Sequence, residues 1–444
     1  MRFRAAHAVL PILLATLAGC NEPPDLTPVS ASLEMGTAGL GGSRVSSKVA
    51  QKPFGKYIAR AVMADPAMTR SLSDTRAARA EKKAADGAFR PDLSVGVSAE
   101  TRYVSSSTTS DASPFVRVSQ LVYDAGAARA DQTAAEARVL QSWARQIESG
   151  ASSALSAVEA YKSLITNRKL LALAQENLRV LRGIADQIDE RAQRGAGSSV
   201  DNLTARSRVA DAETRRVDAQ AGLERAEAAF RRYFDAIPAK LPTPDKAPAL
   251  PADEGDVLAQ SPRLRAANAS LKAAEADLIA AQSRRQPAVE LGLTGSQADS
   301  GGGADVGLDL TLNYSLDTRG QRRAAIEAAA ARRDASKAER DTLLRDVSEA
   351  LALVRTDQAA GEARVAAARE AVQTNAASVQ AARDQFSIGR RSLVDLLDAQ
   401  RDYVRAEETL IRAEQERFLT DYAALALTGD ILDVFDITLP KVPE

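Results

Sequence analysis

Residues 385–403 read QFSIGRRSLVDLLDAQRDY, and residues 193–209, QRGAGSSVDNLTARSRV, form a degenerate copy of the same pattern. A shift of 194 positions superimposes the two copies and also places Gly126 on Gly320. In both halves, 69 positions separate this earlier glycine from the glycine of the quoted stretch. The chain is therefore a tandem duplication, and the architecture of one repeat predicts that of the other.

Two segments of each repeat alternate apolar residues with small or polar ones, which predicts strands within about 92–123 and about 288–317. Segments of roughly ten residues with this alternation are typical of outer-membrane β-barrels, and they also fit one face of a soluble hairpin. Four strands cannot close a membrane barrel. Strands that span a membrane would therefore require oligomerisation, with eight, twelve or sixteen strands in total.

A long helical segment follows each strand pair. Residues 126–195 contain no proline, and only glycines at positions 150 and 183 interrupt the pattern. At 1.5 Å per residue this segment reaches about 100 Å. The residues that recur every seven positions, as in a coiled-coil seam, are Leu164, Leu171, Leu178 and Ala185, together with Ala174, Leu181 and Ile188. Shorter helices are expected from Ser198 to about 234 and from about 254 to 283, with prolines between them that a helix cannot cross.

The N terminus predicts export. Residues 1–19 combine two arginines with a short apolar run, as a signal peptide does. Residues 17–20, LAGC, resemble a bacterial lipobox, so Cys20 is the expected lipidation site; an ordinary signal peptide with a chance cysteine is the alternative.

Composition excludes several kinds of site. Cys20 is the only cysteine, and the only histidine, His7, lies in the signal peptide. Zinc sites built on these residues, cysteine nucleophiles and histidine general bases are therefore excluded, and no metal or cofactor is expected. The balance of 58 basic and 59 acidic residues gives no indication of nucleic-acid binding.

These patterns predict an order of segments along the chain. It comprises a signal peptide (1–19), a lipid-anchored linker (20–54), a first repeat (55–236; strands about 92–123, helical hairpin about 126–234), a proline-rich equatorial crossing (237–253), a second repeat (254–430; strands about 288–317, helical hairpin about 320–428) and a tail (431–444).

The duplicated hairpins, the lipobox and GRRSLVDLLDAQ at 389–400 together resemble the TolC-type outer-membrane factor family over about residues 55–430. The resemblance implies an α+β membrane protein, a homotrimer whose twelve-stranded β-barrel lies in outer-membrane lipid and continues into a periplasmic α-helical barrel. It also implies partners at the far end of that barrel, namely a periplasmic adaptor (membrane fusion) protein and an inner-membrane ABC transporter or proton-driven pump.

The resemblance further assigns roles at the tip of the helical hairpins. It implies a periplasmic gate ringed by Asp395 and Asp398, and a latch that includes Arg391 and Asp201. Phe386 stands where the family has a gate tyrosine, so one hydrogen bond of that latch would be missing. Three chains would place six carboxylates around one axis, which favours cations. The alternative for Arg391 and Asp201 is an exposed ion pair worth under about 1 kcal/mol.

Residue type alone gives the turn residues a simpler interpretation. Glycine suits the left-handed end of a helix, and serine suits the N-cap of the helix that returns. The tip residues of this kind are Gly195, Ser198, Gly389 and Ser392; the strand-to-helix transition residues are Gly126 and Gly320.

The leading hypothesis is therefore a passive export duct without enzymatic activity. The residues of the quoted stretch resemble the type I protein secretion branch of the family. The end of the chain also lacks the Gly-Gly-Gly-Trp ending common in drug-efflux relatives. Small-molecule efflux is the alternative. A structural coiled-coil lipoprotein without a pore is a hypothesis of another class, and an enzyme that uses Asp395 and Asp398 as an acid/base pair is a third.

Overall fold

The computed structural model describes residues 22–34, 48–104, 107–194, 198–238, 240–249, 254–297 and 304–439. The expected signal peptide, Cys20 and Gly195 lie outside these ranges. The described helices are α1 (Thr27–Glu34), α2 (Pro53–Ala64), α3 (Pro66–Asp86), α4 (Ala127–Gln193), α5 (Ser199–Tyr233), α6 (Glu254–Gln260), α7 (Pro262–Ser283), α8 (Gln321–Ser387), α9 (Leu393–Thr428) and α10 (Ile431–Val434). The strands are β1 (Asp92–Val104), β2 (Ser107–Tyr123), β3 (Ala288–Gln297) and β4 (Ala304–Asn313).

The duplication predicted from the sequence is present in the fold. Helices α4 and α8 both contain 67 residues, and the returning helices α5 and α9 contain 35 and 36. Helices α3 and α7, which lead into the two strand pairs, each carry a proline in the first turn, where no backbone N–H is needed. All the expected seam residues of α4 are buried except Ala185, which is partly buried.

Two expectations about the helices were wrong in detail. Helix α4 is continuous through both of its glycines. Segment 254–283 forms two helices, because Pro262 begins a new one after Gln260. The expected linker includes α1, and Val29 of this helix is buried in the main hydrophobic core.

The long helices lie side by side in one layer. In the half nearer the strands, the order of neighbours is α3, α4, α7 and α8; in the other half it is α5, α4, α9 and α8. Helix α4 therefore has neighbours on both sides, whereas α8 forms one edge of the layer and α3 and α5 form the other. The burial pattern agrees, because α4 buries residues along its whole length and α8 buries only a few.

The main core lies at the level where the two repeats cross. It is built around aromatic side chains, and Phe54, Tyr161 and Phe435 are almost completely buried in it. Residues 240–249, hereafter the proline strap, lie against this core. The C-terminal segment also packs into it from Gly429 to Leu439, with the apolar side chains of this range buried, so the described part of the expected tail belongs to the core.

The four strands form one antiparallel sheet in the order β1-β2-β3-β4. Its central pairing joins the two repeats, with Val118 opposite Leu293. Within the described residues, β1 and β4 each pair on one side only, so both edges of the sheet carry unpaired backbone groups.

Candidate functional site

One face of the sheet is mostly apolar, apart from polar residues such as Thr101 and Ser110 toward the far end of β1 and β2. The register places Leu93, Val95 and Val97 of β1 beside β2, and carries the same face across β3 to β4. Nothing in the described part of the chain covers this face, because Val95 is 75% exposed and Val306 is 76% exposed. Exposed apolar surfaces of this extent mark contact with a membrane or a partner.

The opposite face carries mostly small and polar residues, with the Phe115 ring packed against Gly96. Ser94, Gly96 and Ser98 of β1 alternate with the apolar positions, and on β2 Arg117 donates through Nε to the Thr294 hydroxyl at 3.2 Å. This alternation of an apolar outer face and a polar inner one is the arrangement of a membrane-spanning strand that borders water.

The two strand-to-helix transitions have the expected glycines. Gly126 and Gly320 have φ angles of 87° and 68°, in the left-handed region, immediately before α4 and α8. A nearby aspartate caps each helix: Asp124 accepts from the backbone N–H of Ala128 at 2.6 Å, and Asp317 accepts from two N–H groups of α8. These aspartates were not singled out in the sequence, although Asp shortly before Gly is a local signal for such a cap.

At the other end of the layer, a second hydrophobic cluster joins the tips of both helical hairpins. Leu181 and Ile188 of α4 pack in it with Leu393 and Leu396 of α9. Phe386, at the end of α8, belongs to this cluster, and the Arg191 guanidinium lies over its ring at 4.8 Å. The aromatic ring therefore fixes the end of α8 against α4 without a hydroxyl group.

The expected turn residues lie at helix ends where the structure describes them. Gly389 has a φ of 73°, and Ser198 and Ser392 are the N-caps of α5 and α9. The Ser198 hydroxyl accepts from the Val200 N–H at 3.2 Å. Helix α9 has a complete capping box, in which the cap serine and the carboxylate at the third helical position exchange hydrogen bonds.

That carboxylate is Asp395. It accepts hydrogen bonds from the hydroxyl of Ser392 at 2.8 Å and from the backbone N–H of Ser392 at 3.3 Å. These bonds, the hydroxyl first, hold the pKa of the Asp395 carboxyl below its ordinary value, with a smaller contribution from the positive charge of Arg391. The group is exposed at the tip and carries its negative charge at neutral pH.

Asp398 lies one turn further along α9 in a different charge environment. Its carboxylate is 3.0 Å from an Nη atom of Arg401 and 3.9 Å from an Nη atom of Arg208 on α5. The pair with Arg208 connects the tips of the two repeats, and sequence reasoning did not find it. Arg391 and Asp201 form no ion pair or hydrogen bond with each other within the described chain, so a latch built from them between chains stays a prediction.

The described residues contain no group of three or more His, Cys, Asp or Glu side chains arranged to hold a metal ion. None of the helices in the described ranges is long and apolar enough to cross a bilayer.

Comparison with known proteins finds a matching family and relatives of similar sequence. The model of the outer membrane efflux protein family matches residues 58–234 and 255–428. The chain is 24% identical over 361 residues to the outer membrane efflux protein BepC of Brucella suis biovar 1 (strain 1330), across 78% of both chains.

Solved structures agree with this match. CusC, studied for its folding and transmembrane channel formation, superimposes with a TM-score of 0.79 at 17% identity, over 92% of this chain and 98% of CusC. The outer membrane protein VceC of Vibrio cholerae gives 0.77 at 18% identity, over 87% of this chain and 99% of VceC. At these identities the structures show a shared fold, which confirms the expected architecture of one chain.

Proposed function

The chain belongs to the outer membrane efflux protein family, and on that premise we propose that three copies form an outer-membrane export duct. Members of this family are outer-membrane channels and not enzymes, so the chain is a transport protein that extends into the periplasm. The observation that carries the proposal is the sheet, which combines one uncovered apolar face with two unpaired edges.

Such a sheet is not stable in lipid as a single chain, because the backbone groups of β1 and β4 would have no partners there. Pairing β4 of one chain with β1 of the next satisfies both edges. The helices support the same head-to-tail arrangement. Helix α8 is at the same edge of the chain as β4, whereas α3 and α5 are at the same edge as β1. A head-to-tail interface that closes gives a ring, and a ring of three has twelve strands.

Below the membrane, the helical layers of three chains close into a tube. The 67 residues of α8 correspond to about 100 Å, and this length supports tips that lie far into the periplasm. The proposed gate is at these tips, where Asp395 and Asp398 of the three chains ring the axis. Arg391, Asp201 and the ring of Phe386 are proposed to hold the closed state. A periplasmic adaptor protein and an inner-membrane transporter are the proposed partners at this end.

Lipidation of Cys20 is proposed as a second attachment to the outer membrane. Replacing Cys20 with serine should abolish incorporation of labelled palmitate. Continued incorporation by Cys20→Ser would remove the anchor from the proposal and leave the duct unaffected.

Type I protein secretion stays the proposed role, on the wording of residues 385–403. Small-molecule efflux is the second candidate, and it is favoured by the similarity to BepC, which is named an efflux protein. A deletion strain separates them: loss of secretion of large proteins with normal dye retention supports the first, and dye accumulation with normal secretion supports the second.

Cross-linking between edge strands tests the duct itself. The test variant has Cys20 replaced by serine and carries the substitutions Val95→Cys on β1 and Leu308→Cys on β4. Within one chain these two cysteines lie on opposite edges of the sheet and are too far apart to be linked. A membrane-permeant bismaleimide should therefore link neighbouring chains and give covalent trimers. The matched control is Val95 with Val116, which face each other on β1 and β2 of one chain and should give cross-linked monomers only.

Single-channel conductance in planar bilayers completes the test. A structural lipoprotein without a pore predicts neither covalent trimers nor conductance steps. Absence of both would overturn the duct in favour of that reading.

A further inference from the structure

A cleft of about 790 Å³ lies under the proline strap, between the strap, α4, α8 and α9. Its apolar wall includes Ile165, Leu241, Val365 and Phe418. Clefts of this size, with apolar walls and a few placed polar groups, are typical of sites for small ligands.

The charged groups around this strap cleft are strongly unbalanced. Seven lysine and arginine side chains line it, against three carboxylates. The carboxylates are already paired: Glu362 with Arg417 at 2.6 Å, Glu414 with Arg369 at 3.1 Å and with Lys169 at 3.6 Å, and Asp421 with Arg417. No ion pair within the described residues engages the four cations that remain, Lys162, Arg168, Lys240 and Lys246.

Among these cations, Lys162 is the one whose surroundings most favour a bound anion. Its ammonium lies 4.9 Å from the centre of the Phe418 ring, and it is partly buried at the cleft wall. Burial, followed by the positive charge of Lys169, lowers the pKa of the Lys162 ammonium. Glu414 attracts the Lys162 ammonium but forms no ion pair with it; its ion pairs are with Arg369 and Lys169. A partly desolvated cation with no carboxylate in ion-pair contact gains more from a bound anion than an exposed lysine does.

We propose that the strap cleft binds a soluble anionic amphiphile, with its acid group against Lys162, Lys240 and Lys246 and its apolar body against Phe418 and Leu241. Bilayer lipid is not the source of this ligand. Lys162 lies 35 residues along α4 from the strand end, which is about 50 Å from the sheet. The inference does not depend on conduction, since the cleft lies within one chain.

The test uses purified full-length protein in nanodiscs of neutral phosphatidylcholine, with 1-anilinonaphthalene-8-sulfonate as the fluorescent anionic probe. We expect saturable binding at one site per chain. The double substitution Lys162→Gln and Lys246→Gln should weaken it about tenfold or more, since it removes two charge-assisted contacts. The matched control is Lys56→Gln, an exposed lysine outside the cleft, which should leave binding unchanged.

A second probe separates charge from apolar attraction. N-phenyl-1-naphthylamine has the same rings and no sulfonate, so the double substitution should not weaken its binding. Far-UV circular dichroism and the oligomeric state of each variant show that the fold is kept. The proposal is overturned if the anionic probe binds the double variant as well as the original, if both probes weaken equally, or if phosphatidylglycerol in the nanodisc displaces the probe.

Discussion

Two buried tyrosine hydroxyls hold the proline strap, and removing them tests whether the strap is fixed to the helices. Tyr161 donates through Oη to the carbonyl of Pro242 at 2.6 Å, and Tyr422 donates to the carbonyl of Asp245 at 2.9 Å. Both rings are completely buried. Burial raises the pKa of both phenols, so both hydroxyls stay protonated and donate over the whole physiological pH range.

Replacing either tyrosine with phenylalanine keeps the ring in the core and leaves one strap carbonyl without its donor. The expected cost is about 1–2 kcal/mol per substitution. This cost destabilises only the closed state of the strap, because the carbonyl can accept hydrogen bonds from water once the strap opens. The open population should therefore rise about 5- to 30-fold.

Trypsin measures this opening directly, because the strap contains Lys240 before Leu241 and Lys246 before Ala247. When the strap closes faster than it is cut, the cleavage rate follows the open population. Tyr161→Phe and Tyr422→Phe should each accelerate cleavage at these two bonds by the factor above. Tyr403→Phe is the matched control, since its hydroxyl binds Glu407 within α9. Unchanged cleavage in both strap variants, or equal acceleration in the control, would refute the clamp.

Three further predictions concern the tip and the seam. Replacing Asp395 and Asp398 together with asparagine should weaken block of the conductance by polyvalent cations, and unchanged block would place both carboxylates away from the aperture. Ser392→Ala removes the hydroxyl bond, the larger of the two that lower the Asp395 pKa, and keeps the backbone N–H. Acidification protonates this carboxylate, so cation block should be lost at a higher pH than in the original chain. Asn177→Ala leaves the buried Gln400 amide without its 3.1 Å partner, and denaturant unfolding should show a loss of about 1–3 kcal/mol.

The sequence was sufficient for the features that repeat with a fixed period. The seven-residue spacing of Leu164, Leu171 and Leu178 predicts the buried seam of α4, and the period-two alternation predicts all four strands. Both patterns arise because one face of an element must be buried or contact lipid, so they can be recognised in the sequence without a tertiary structure. The caps at Ser198 and Ser392 could be predicted for a similar reason, since they depend only on local backbone geometry.

Features that depend on distant packing could not be predicted in this way. Gly150 suggests an interruption by its low helix propensity, yet the structure keeps α4 continuous there. A side chain at this position would come within 3.3 Å of Leu432 and Leu439, so the glycine makes room for the C-terminal segment. The pair between Arg208 and Asp398 could not be predicted from the sequence either, because no local pattern relates two residues on separate repeats.

That pair also distinguishes the two carboxylates of the proposed gate and gives a last prediction. Asp398 lies beside Arg401 and Arg208, whereas no cation of the described chain lies within ion-pair distance of Asp395. Since exposed pairs are worth little in stability, their main effect here is to offset the negative charge of Asp398 near the proposed axis. Asp395→Asn alone should therefore weaken polyvalent-cation block more than Asp398→Asn alone. Arg208→Gln should narrow the difference by freeing the charge of Asp398. Equal effects of the two single substitutions, unchanged by Arg208→Gln, would mean that the intrachain pairs do not set the charge of the gate.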